Sequence, residues 1–207
     1  MRILAFAGFL GSGKTTLIRR CIDAMLRQGD RVAIIENEIG ATSIDDKLLR
    51  DAKIEMTTLR GGCVCCSISG SLVLAADRIE REIAPDWLIV ELTGMAYSSG
   101  VRGLFTGQEE RFRISFVSVI DITRWFRLLN VSRPLLIDQV EGADAVVVNK
   151  VDLAQPTEAQ LAQITELSGG AAILLSPTPD VDIWERLRPI LERDAGGPGA
   201  QGKEQAI

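Results

Sequence analysis

The sequence GFLGSGKTT at residues 8–16 decides the fold, because it fits the pattern GxxxxGK[ST] with the pattern's glycines at Gly8 and Gly13. An apolar run at residues 3–7 precedes it, and a helix-forming pattern at residues 17–22 follows it. Strand, glycine-rich loop and helix therefore stand in the order that a phosphate-binding loop requires. The alternative, a flexible Gly/Ser connector, needs neither the GKT triplet nor a buried strand before it.

The residue types of this loop suit the phosphates of a nucleotide. Glycine allows the backbone to turn tightly and to aim N–H groups at phosphate oxygens, and the next helix adds the positive end of its dipole. Lys14 is expected to neutralise charge on the β- and γ-phosphates, and the Thr15 hydroxyl is expected to bind Mg²⁺. The predicted nucleotide-binding residues of the loop are Gly8, Gly11, Ser12, Gly13, Lys14, Thr15 and Thr16.

The composition favours one domain without a general nucleic-acid surface. The chain has 207 residues, 46% of them hydrophobic, which is enough for a sizeable core. Lys and Arg total 23 against 28 Asp and Glu, so any bound polyanion is expected to be small and locally held. No stretch approaches the ~20 apolar residues of a membrane span, and the short N-terminal apolar run lacks a cleavage site. We therefore expect a cytoplasmic protein without a membrane or nucleic-acid partner.

Apolar strands alternate with amphipathic helices, which predicts the α/β, three-layer P-loop NTPase fold with a mostly parallel central sheet flanked by helices. Further strands are predicted near residues 31–35, 53–59, 87–90, 114–120, 143–148 and 171–175. Helices are predicted near residues 43–50, 69–84, 122–140 with a break near 132–134, 156–167 and 181–191. Residues 95–110 are rich in Gly and Ser, which predicts a mobile loop. The domain is expected to span residues 1–193, followed by a disordered tail at 194–207.

Two acidic residues at predicted strand ends are candidates for the magnesium side of the site. Glu91 opens the sequence ELTG, in which Gly94 allows a backbone N–H to approach a γ-phosphate. Asp121, at the end of the strand near residues 114–120, is the rival. An acid at this position can hold the Mg²⁺ shell or orient the attacking water, and the spacing favours Glu91.

The sequence NKVD at residues 149–152 predicts specificity for guanine. The Asp152 carboxylate can accept hydrogen bonds from both the ring N–H and the exocyclic amine of guanine, a donor pair that adenine lacks. Asn149 is expected to brace neighbouring loops, and the Lys150 stem is expected to lie on the purine face. The loop that begins at Ser176 can close over the base.

Three of the four cysteines lie in the sequence CVCC at residues 63–66, and the chain contains no histidine. Crowded thiols in a reducing compartment indicate metal or redox chemistry. Cys63, Cys65 and Cys66 can converge on one ion such as Zn²⁺ and leave a fourth position open, as an exchangeable metal requires. Cys21 fits the first helix as a small core residue. A redox-active or merely buried thiol cluster is the alternative.

Five motifs occur in order: the loop at residues 8–16, ENEIG at 36–40, GGCVCC at 61–66, ELTG at 91–94 and NKVD at 149–152. With them, the chain resembles the CobW-type metal-handling GTPases, relatives of the nickel-insertion GTPases UreG and HypB. The resemblance covers about residues 1–176 and implies a GTPase domain that carries or inserts a metal, with Zn²⁺ or Co²⁺ as candidates. The chain differs from the family in Ile39, where Phe is usual, and it contains no His-rich stretch. The resemblance implies a second domain in most CobW-type proteins, and it covers the GTPase domain alone.

The resemblance also implies roles for single residues. It makes Lys14 and Thr15 the phosphate and Mg²⁺ residues, Asp152 the guanine reader and Glu91 the acid of the ELTG element. Glu38 corresponds to the switch-region carboxylate. The expected metal-binding residues are Thr15, Glu38, Cys63, Cys65 and Cys66, and the expected catalytic residues are Lys14, Glu91 and Gly94.

These inferences lead to the hypothesis of a GTP-driven metallochaperone. Mg²⁺-GTP would draw residues 36–40 and the cysteine loop into a metal-binding arrangement, and hydrolysis would release the ion to a client protein. The motifs contain no histidine and no obvious catalytic arginine, so we expect slow intrinsic turnover that accelerates on dimerisation or partner docking. The alternatives are a P-loop small-molecule kinase, a thiol-based zinc store or redox sensor with a structural nucleotide, and a chaperone that loads a corrinoid enzyme.

Overall fold

The computed structural model describes residues 1–36, 54–58, 69–177 and 182–193. Its strands are β1 Arg2–Ala7, β2 Val32–Glu36, β3 Ile54–Thr58, β4 Trp87–Glu91, β5 Arg113–Asp121, β6 Ala145–Asn149 and β7 Ala172–Ser176. They form one sheet in the order β3-β2-β4-β1-β5-β6-β7, in which every neighbouring pair is parallel. The predicted parallel sheet is confirmed.

Helices cover both faces of this sheet, which confirms the three-layer α/β architecture. The described helices are α1 Lys14–Arg27, α2 Ser69–Glu82, α3 Ser98–Leu104, α4 Trp125–Val131, α5 Arg133–Val140, α6 Glu158–Ser168 and α7 Ile183–Leu191. A short 3₁₀ turn, Ile122–Arg124, joins β5 to α4. Helices α1 and α7 pack on one face, and α2 to α6 pack on the other.

Strand β1 lies in the middle of the sheet, and its side chains alternate between the two halves of the core. Leu4 and Phe6 pack against α1 and α7, whereas Ile3 and Ala5 face the layer that contains α2. All four side chains are buried, as expected for a central parallel strand covered on both sides. The loop that follows β1 is therefore attached to a central strand that is buried on both faces.

The prediction of a mobile loop over residues 95–110 is wrong, because α3 lies within this segment. Val101 and Phe105 are buried in the core beside α2. The Arg102 guanidinium donates a hydrogen bond to the Gly142 carbonyl at 2.7 Å and lies 4.3 Å from the centre of the Phe116 ring. Of the glycines and serines that suggested a loop, Ser99, Gly100 and Gly103 occupy exposed positions of the helix, whereas Ser98 is buried.

Most other predicted elements are confirmed within the described residues. The helical segment before β6 is broken at Ser132 as predicted, and α7 buries Ile183, Trp184 and Leu187. Trp125 is a core residue of α4, whereas the neighbouring Phe126 side chain is 60% exposed. The helix predicted at residues 43–50 and the tail at 194–207 lie outside the described residues.

No helix in the described ranges is both long and apolar enough to cross a lipid bilayer.

Candidate nucleotide site

The candidate site lies at the carboxyl edge of the sheet, where α/β proteins with parallel strands commonly bind ligands. The loop at residues 8–13 follows β1, and Glu91 pairs in register with Phe6 at the end of β4. On the other side, Asp121 pairs with Asn149 and Asn149 pairs with Ser176. Five neighbouring strands, β4, β1, β5, β6 and β7, therefore deliver candidate site residues to one edge of the sheet.

The backbone of the phosphate-binding loop is arranged by its glycines. Gly8, Gly11 and Gly13 have φ angles of 136°, 74° and 100°, a region that side chains other than glycine rarely adopt. At Gly13 a Cβ atom would also collide with the Asn149 side-chain amide. The sequence pattern of the loop thus has a steric cause in the fold.

Lys14 is the first residue of α1 and lies folded against the loop, with only 6% of its surface exposed. Its Nζ atom donates hydrogen bonds to the Gly8 carbonyl at 2.6 Å and the Phe9 carbonyl at 3.2 Å. Burial lowers the pKa of Lys14, and the nearby Glu91 carboxylate opposes this shift. The ammonium group is therefore held at the loop by weak acceptors that the oxygens of a phosphate could replace.

Thr15 and Glu91 meet across the start of α1 and the end of β4. The Thr15 hydroxyl donates a hydrogen bond to Glu91 Oε1 at 2.8 Å. Adjacent ligands of an octahedral Mg²⁺ ion lie about 2.9 Å apart when each is 2.0–2.1 Å from the metal. These two oxygens are hard ligands at a matching separation, so they fit the magnesium site that the sequence predicts.

Gly94 packs directly on the phosphate-binding loop. A Cβ atom at this position would lie 2.5 Å from the Leu10 backbone nitrogen, which leaves room for glycine alone. The Gly94 and Ala96 carbonyls both accept hydrogen bonds from the Gln139 side-chain amide at 3.1 Å. Gln139 belongs to none of the sequence motifs; its only signal in the sequence is a polar residue within the apolar pattern of α5.

Asp121 lies on the opposite side of the loop from Thr15 and is engaged in a network of its own. It is 2% exposed, and its Oδ2 accepts hydrogen bonds from Lys150 Nζ at 2.7 Å and Arg124 Nε at 2.8 Å. Burial alone would raise the pKa of Asp121, but hydrogen bonds from Lys150 and Thr123 outweigh it and leave the pKa below its usual value. The geometry therefore favours Glu91 over Asp121 beside Thr15.

The two cations on Asp121 also hold the loop. Arg124 donates to the Leu10 carbonyl and Lys150 donates to the Gly11 carbonyl, at 2.8 Å and 2.9 Å. Arg124 belongs to no motif, so it was not identified from the sequence. Lys150 adopts a φ of 63°, which turns its side chain back toward the loop.

Asn149 braces the loop as predicted, since its amide donates a hydrogen bond to the Ser12 carbonyl at 2.8 Å. A cleft beside this contact is lined by Gly13, Thr16, Leu17, Arg20, Asn149, Lys150 and Ser176. Ser176 is fully buried there, and its hydroxyl has no hydrogen-bond partner among the described residues. Asp152 is exposed just beyond β6. This cleft adjoins the NKVD sequence, where the base is expected.

The predicted metal-binding residues Glu38, Cys63, Cys65 and Cys66 lie outside the described residues. Across the ranges that are described, no group of three or more His, Cys, Asp or Glu side chains is arranged for a metal ion. Cys21 is fully buried on α1 among apolar residues, which confirms its prediction as a core residue.

Comparison with known proteins gives a family match over nearly the whole described chain. The model of the CobW/HypB/UreG nucleotide-binding domain matches residues 2–174. The zinc chaperone YjiA of Escherichia coli is 30% identical over 190 residues, covering 87% of this chain and 59% of that protein. The zinc-regulated GTPase metalloprotein activator 1 of Dictyostelium discoideum is 24% identical over 227 residues, covering 89% of this chain and 47% of that protein. The chain thus spans about half the length of these curated relatives.

Solved structures show the same fold. The hydrogenase maturation factor HypB from Archaeoglobus fulgidus superposes with a TM-score of 0.67 at 20% identity, covering 93% of this chain and 91% of that one. The Zn(II)-bound YjiA GTPase from E. coli superposes with a TM-score of 0.63 at 24% identity, covering 84% of this chain and 56% of that one.

Proposed function

The chain belongs to the family of CobW/HypB/UreG nucleotide-binding domains, and from this premise we propose that it is a GTPase whose nucleotide state controls the binding and release of a transition metal. The observation that carries the proposal is the meeting of Lys14, Thr15 and Glu91 at the phosphate-binding loop. The NKVD sequence lies on the same sheet edge, across the loop. One edge of the sheet can therefore bind both the phosphates and the base of a guanine nucleotide.

The phosphate half of the proposal assigns a separate task to each side chain. Lys14 would exchange its two carbonyl acceptors for β- and γ-phosphate oxygens, and the backbone N–H groups of the loop would take the remaining negative charge. Thr15 and Glu91 would hold Mg²⁺, which when bound neutralises charge on the same phosphates. The Gly94 N–H would contact the terminal phosphate, because no side chain separates Gly94 from the loop.

The base half rests on the cleft beside Asn149. Asp152 would accept the two guanine N–H groups, and the Lys150 stem would lie along the purine face. The buried Ser176 hydroxyl, which lacks a partner within the described part of the chain, offers a hydrogen bond at the back of this cleft. Asn149 would keep the loop and the base site in fixed relation through its bond to Ser12.

The metal half rests on the cysteine sequence and on the relatives. Cys63, Cys65 and Cys66, with Glu38 from the switch region, would bind the transferred ion. Zn²⁺ is the first candidate because relatives are named zinc chaperones and zinc-regulated activators, and Co²⁺ is the second. A metal-requiring client protein would receive the ion. Turnover would be slow until a second copy or a partner docks.

The test is to measure Zn²⁺ affinity with a chelating indicator for protein loaded with a non-hydrolysable GTP analogue and with GDP. Allosteric coupling of typical size changes such an affinity by about 5- to 150-fold. The Lys14→Ala variant is the control, since it should lose the nucleotide dependence and keep the thiols. Equal Zn²⁺ affinities in the two loaded forms of the wild type would refute the coupling. Phosphate released to water, with none on an acceptor, would separate a GTPase from a kinase.

A further inference from the structure

Gln139 connects α5 to the segment that follows β4. The side chain is 2% exposed, and its Nε2 donates hydrogen bonds to the Gly94 and Ala96 carbonyls, each at 3.1 Å. Both partners can only accept, so they fix the orientation of the amide with its NH₂ group toward them. An amide that holds two carbonyls two residues apart determines the path of the backbone between them.

The other end of the same amide faces the phosphate-binding loop. Gln139 lines a small cavity together with Ser12 and Ser118. The buried Gln139 Oε1 and the two serine hydroxyls have no hydrogen-bond partner among the described residues. A water molecule in this cavity could accept a hydrogen bond from either hydroxyl and donate one to Oε1. Gln139 therefore lies beneath the loop and beside the Gly94 segment at once.

The Gly94 segment is held between this amide and the loop. Gly94 touches the Leu10 backbone so closely that a Cβ atom would lie 2.5 Å from the Leu10 nitrogen. Its turn is closed by a hydrogen bond from the Ala96 N–H to the Thr93 carbonyl at 3.0 Å. A shift of the two carbonyls would therefore move the Gly94 N–H relative to the loop.

A neighbouring contact binds the far end of the same segment to α5. The Ser99 N–H donates a hydrogen bond to the Asp138 carboxylate at 3.3 Å. Residues 138 and 139 thus hold the chain at three points between Gly94 and Ser99. Helix α5 also packs against α3 and α6, so these hydrogen bonds connect the segment to the layer of helices as well as to the phosphate-binding loop.

We propose that Gln139 is a positioning residue for nucleotide discrimination, which holds the Gly94 N–H where the terminal phosphate of GTP binds. The inference rests on the proposed function and deepens it. GDP lacks the phosphate that would meet Gly94, so the amide strengthens binding of GTP and leaves binding of GDP unchanged. Gln139 itself does not touch the nucleotide. It removes the free-energy cost of ordering the Gly94 segment at each binding event.

The experiment compares Gln139→Met and Gln139→Glu with the wild type in affinity for a GTP analogue, affinity for GDP, and kcat and KM for GTP. Met keeps the size of the side chain but cannot donate, and Glu places an acceptor against two carbonyls. Loss of a buried hydrogen-bond donor should lower the ratio of GTP to GDP affinity by about tenfold, with a matching fall in kcat. At lower pH the Gln139→Glu variant should recover part of the ratio as its buried carboxyl gains a proton and can donate.

The matched control is Gln160→Met. Gln160 is also buried, at 8% exposure, but its side chain closes the capping box at the start of α6, where it accepts a hydrogen bond from the Thr157 N–H. The Gln160→Met variant should lose stability and keep the wild-type ratio of GTP to GDP affinity. Fluorescence of the buried residues Trp87, Trp125 and Trp184 reports folding of every variant.

The outcomes separate the inference from the proposed function. If the wild type prefers GTP and both Gln139 variants keep its affinity ratio, Gln139 is merely structural and the inference is overturned. The inference is also overturned if the affinities of the Gln139 variants for the GTP analogue and for GDP fall equally. If the folded wild type binds neither nucleotide, the proposed function fails, and the inference fails with it.

Discussion

The two sides of the phosphate-binding loop are held in different ways. We call the side of the loop that faces the ends of β5 and β6 the β6 side. Here the carbonyls of residues 10, 11 and 12 accept hydrogen bonds from Arg124, Lys150 and Asn149, respectively. These donors are charged or amide groups that originate far along the chain. The loop carbonyls on this side are thus satisfied before any ligand binds, and the β6 side is built for the loop itself.

On the β4 side, the contacts are of a kind that a ligand would replace. Thr15 donates to Glu91, and Lys14 donates to two carbonyls of its own loop. Gly94 makes backbone contact with the loop and brings no side chain to it. The β6 side of the loop is therefore preorganised, whereas the hydrogen bonds of Lys14 and Thr15 on the β4 side must be exchanged when nucleotide and Mg²⁺ bind. Substitutions on the two sides should therefore have different signatures.

The largest effect is expected for Lys14→Ala on the β4 side. The ammonium group is the buried cation closest to the expected phosphates, and losing its charge-assisted hydrogen bonds should weaken GTP and GDP binding by about 100-fold. Isothermal titration calorimetry measures both affinities. Arg27→Ala, which removes a cation from the last turn of the same helix, should change neither. A fall of less than about threefold in the Lys14 variant would place the phosphates elsewhere.

The next effect is expected for Asp152→Asn at the base. An amide in place of the carboxylate presents a donor toward the ring N–H of guanine, so GTP affinity should fall by about 30-fold. Xanthosine triphosphate, which carries a carbonyl where guanine carries the amine, should bind better to the variant than to the wild type. Competition between the two nucleotides measures this reversal. Asp23→Asn, an exposed carboxylate on α1, is the control.

A smaller effect is expected for Asn149→Ala, which tests the preorganised side directly. The variant leaves the Ser12 carbonyl without its amide donor and loosens the loop before either nucleotide binds. GTP and GDP affinity should therefore fall together, each by about tenfold. This equal loss contrasts with the selective loss expected for Gln139. A change confined to GTP would show that Asn149 does not act through the empty loop, and the comparison of the two sides would need revision.

The sequence predicts the residues of this site that belong to motifs at the ends of predicted strands. A parallel sheet brings the ends of its strands to one edge, so the placement of Glu91 and Asn149 beside the loop follows once the strands are identified. Arg124, Gln139 and α3 could not be predicted in the same way. Gln139 contacts Gly94 across 45 residues and Arg124 contacts Leu10 across 114, and no spacing rule in one sequence reports such contacts.

The smallest effect concerns pH and the β4 side. Burial lowers the pKa of Lys14, so in the empty protein this group loses its proton at a lower pH than an ordinary lysine. Phosphate oxygens favour the charged form, so bound nucleotide should raise the pKa again and binding should take up a proton. Nucleotide affinity should then fall by a few-fold as the pH rises above the lowered pKa of Lys14. The fall reaches about tenfold per pH unit only where Lys14 stays protonated in the nucleotide complex.

Calorimetry in two buffers of different ionisation enthalpy measures the proton uptake, and a titration series from neutral to alkaline pH measures the affinity. Lys14→Arg is the matched variant, because a guanidinium stays charged throughout this range and shares every other pH effect of protein and nucleotide. The wild type should lose affinity relative to this variant as the pH rises. If the affinities of the wild type and of Lys14→Arg change with pH in parallel, Lys14 keeps its proton in the empty loop. The β4 side would then be as fully preorganised for its ligand as the β6 side.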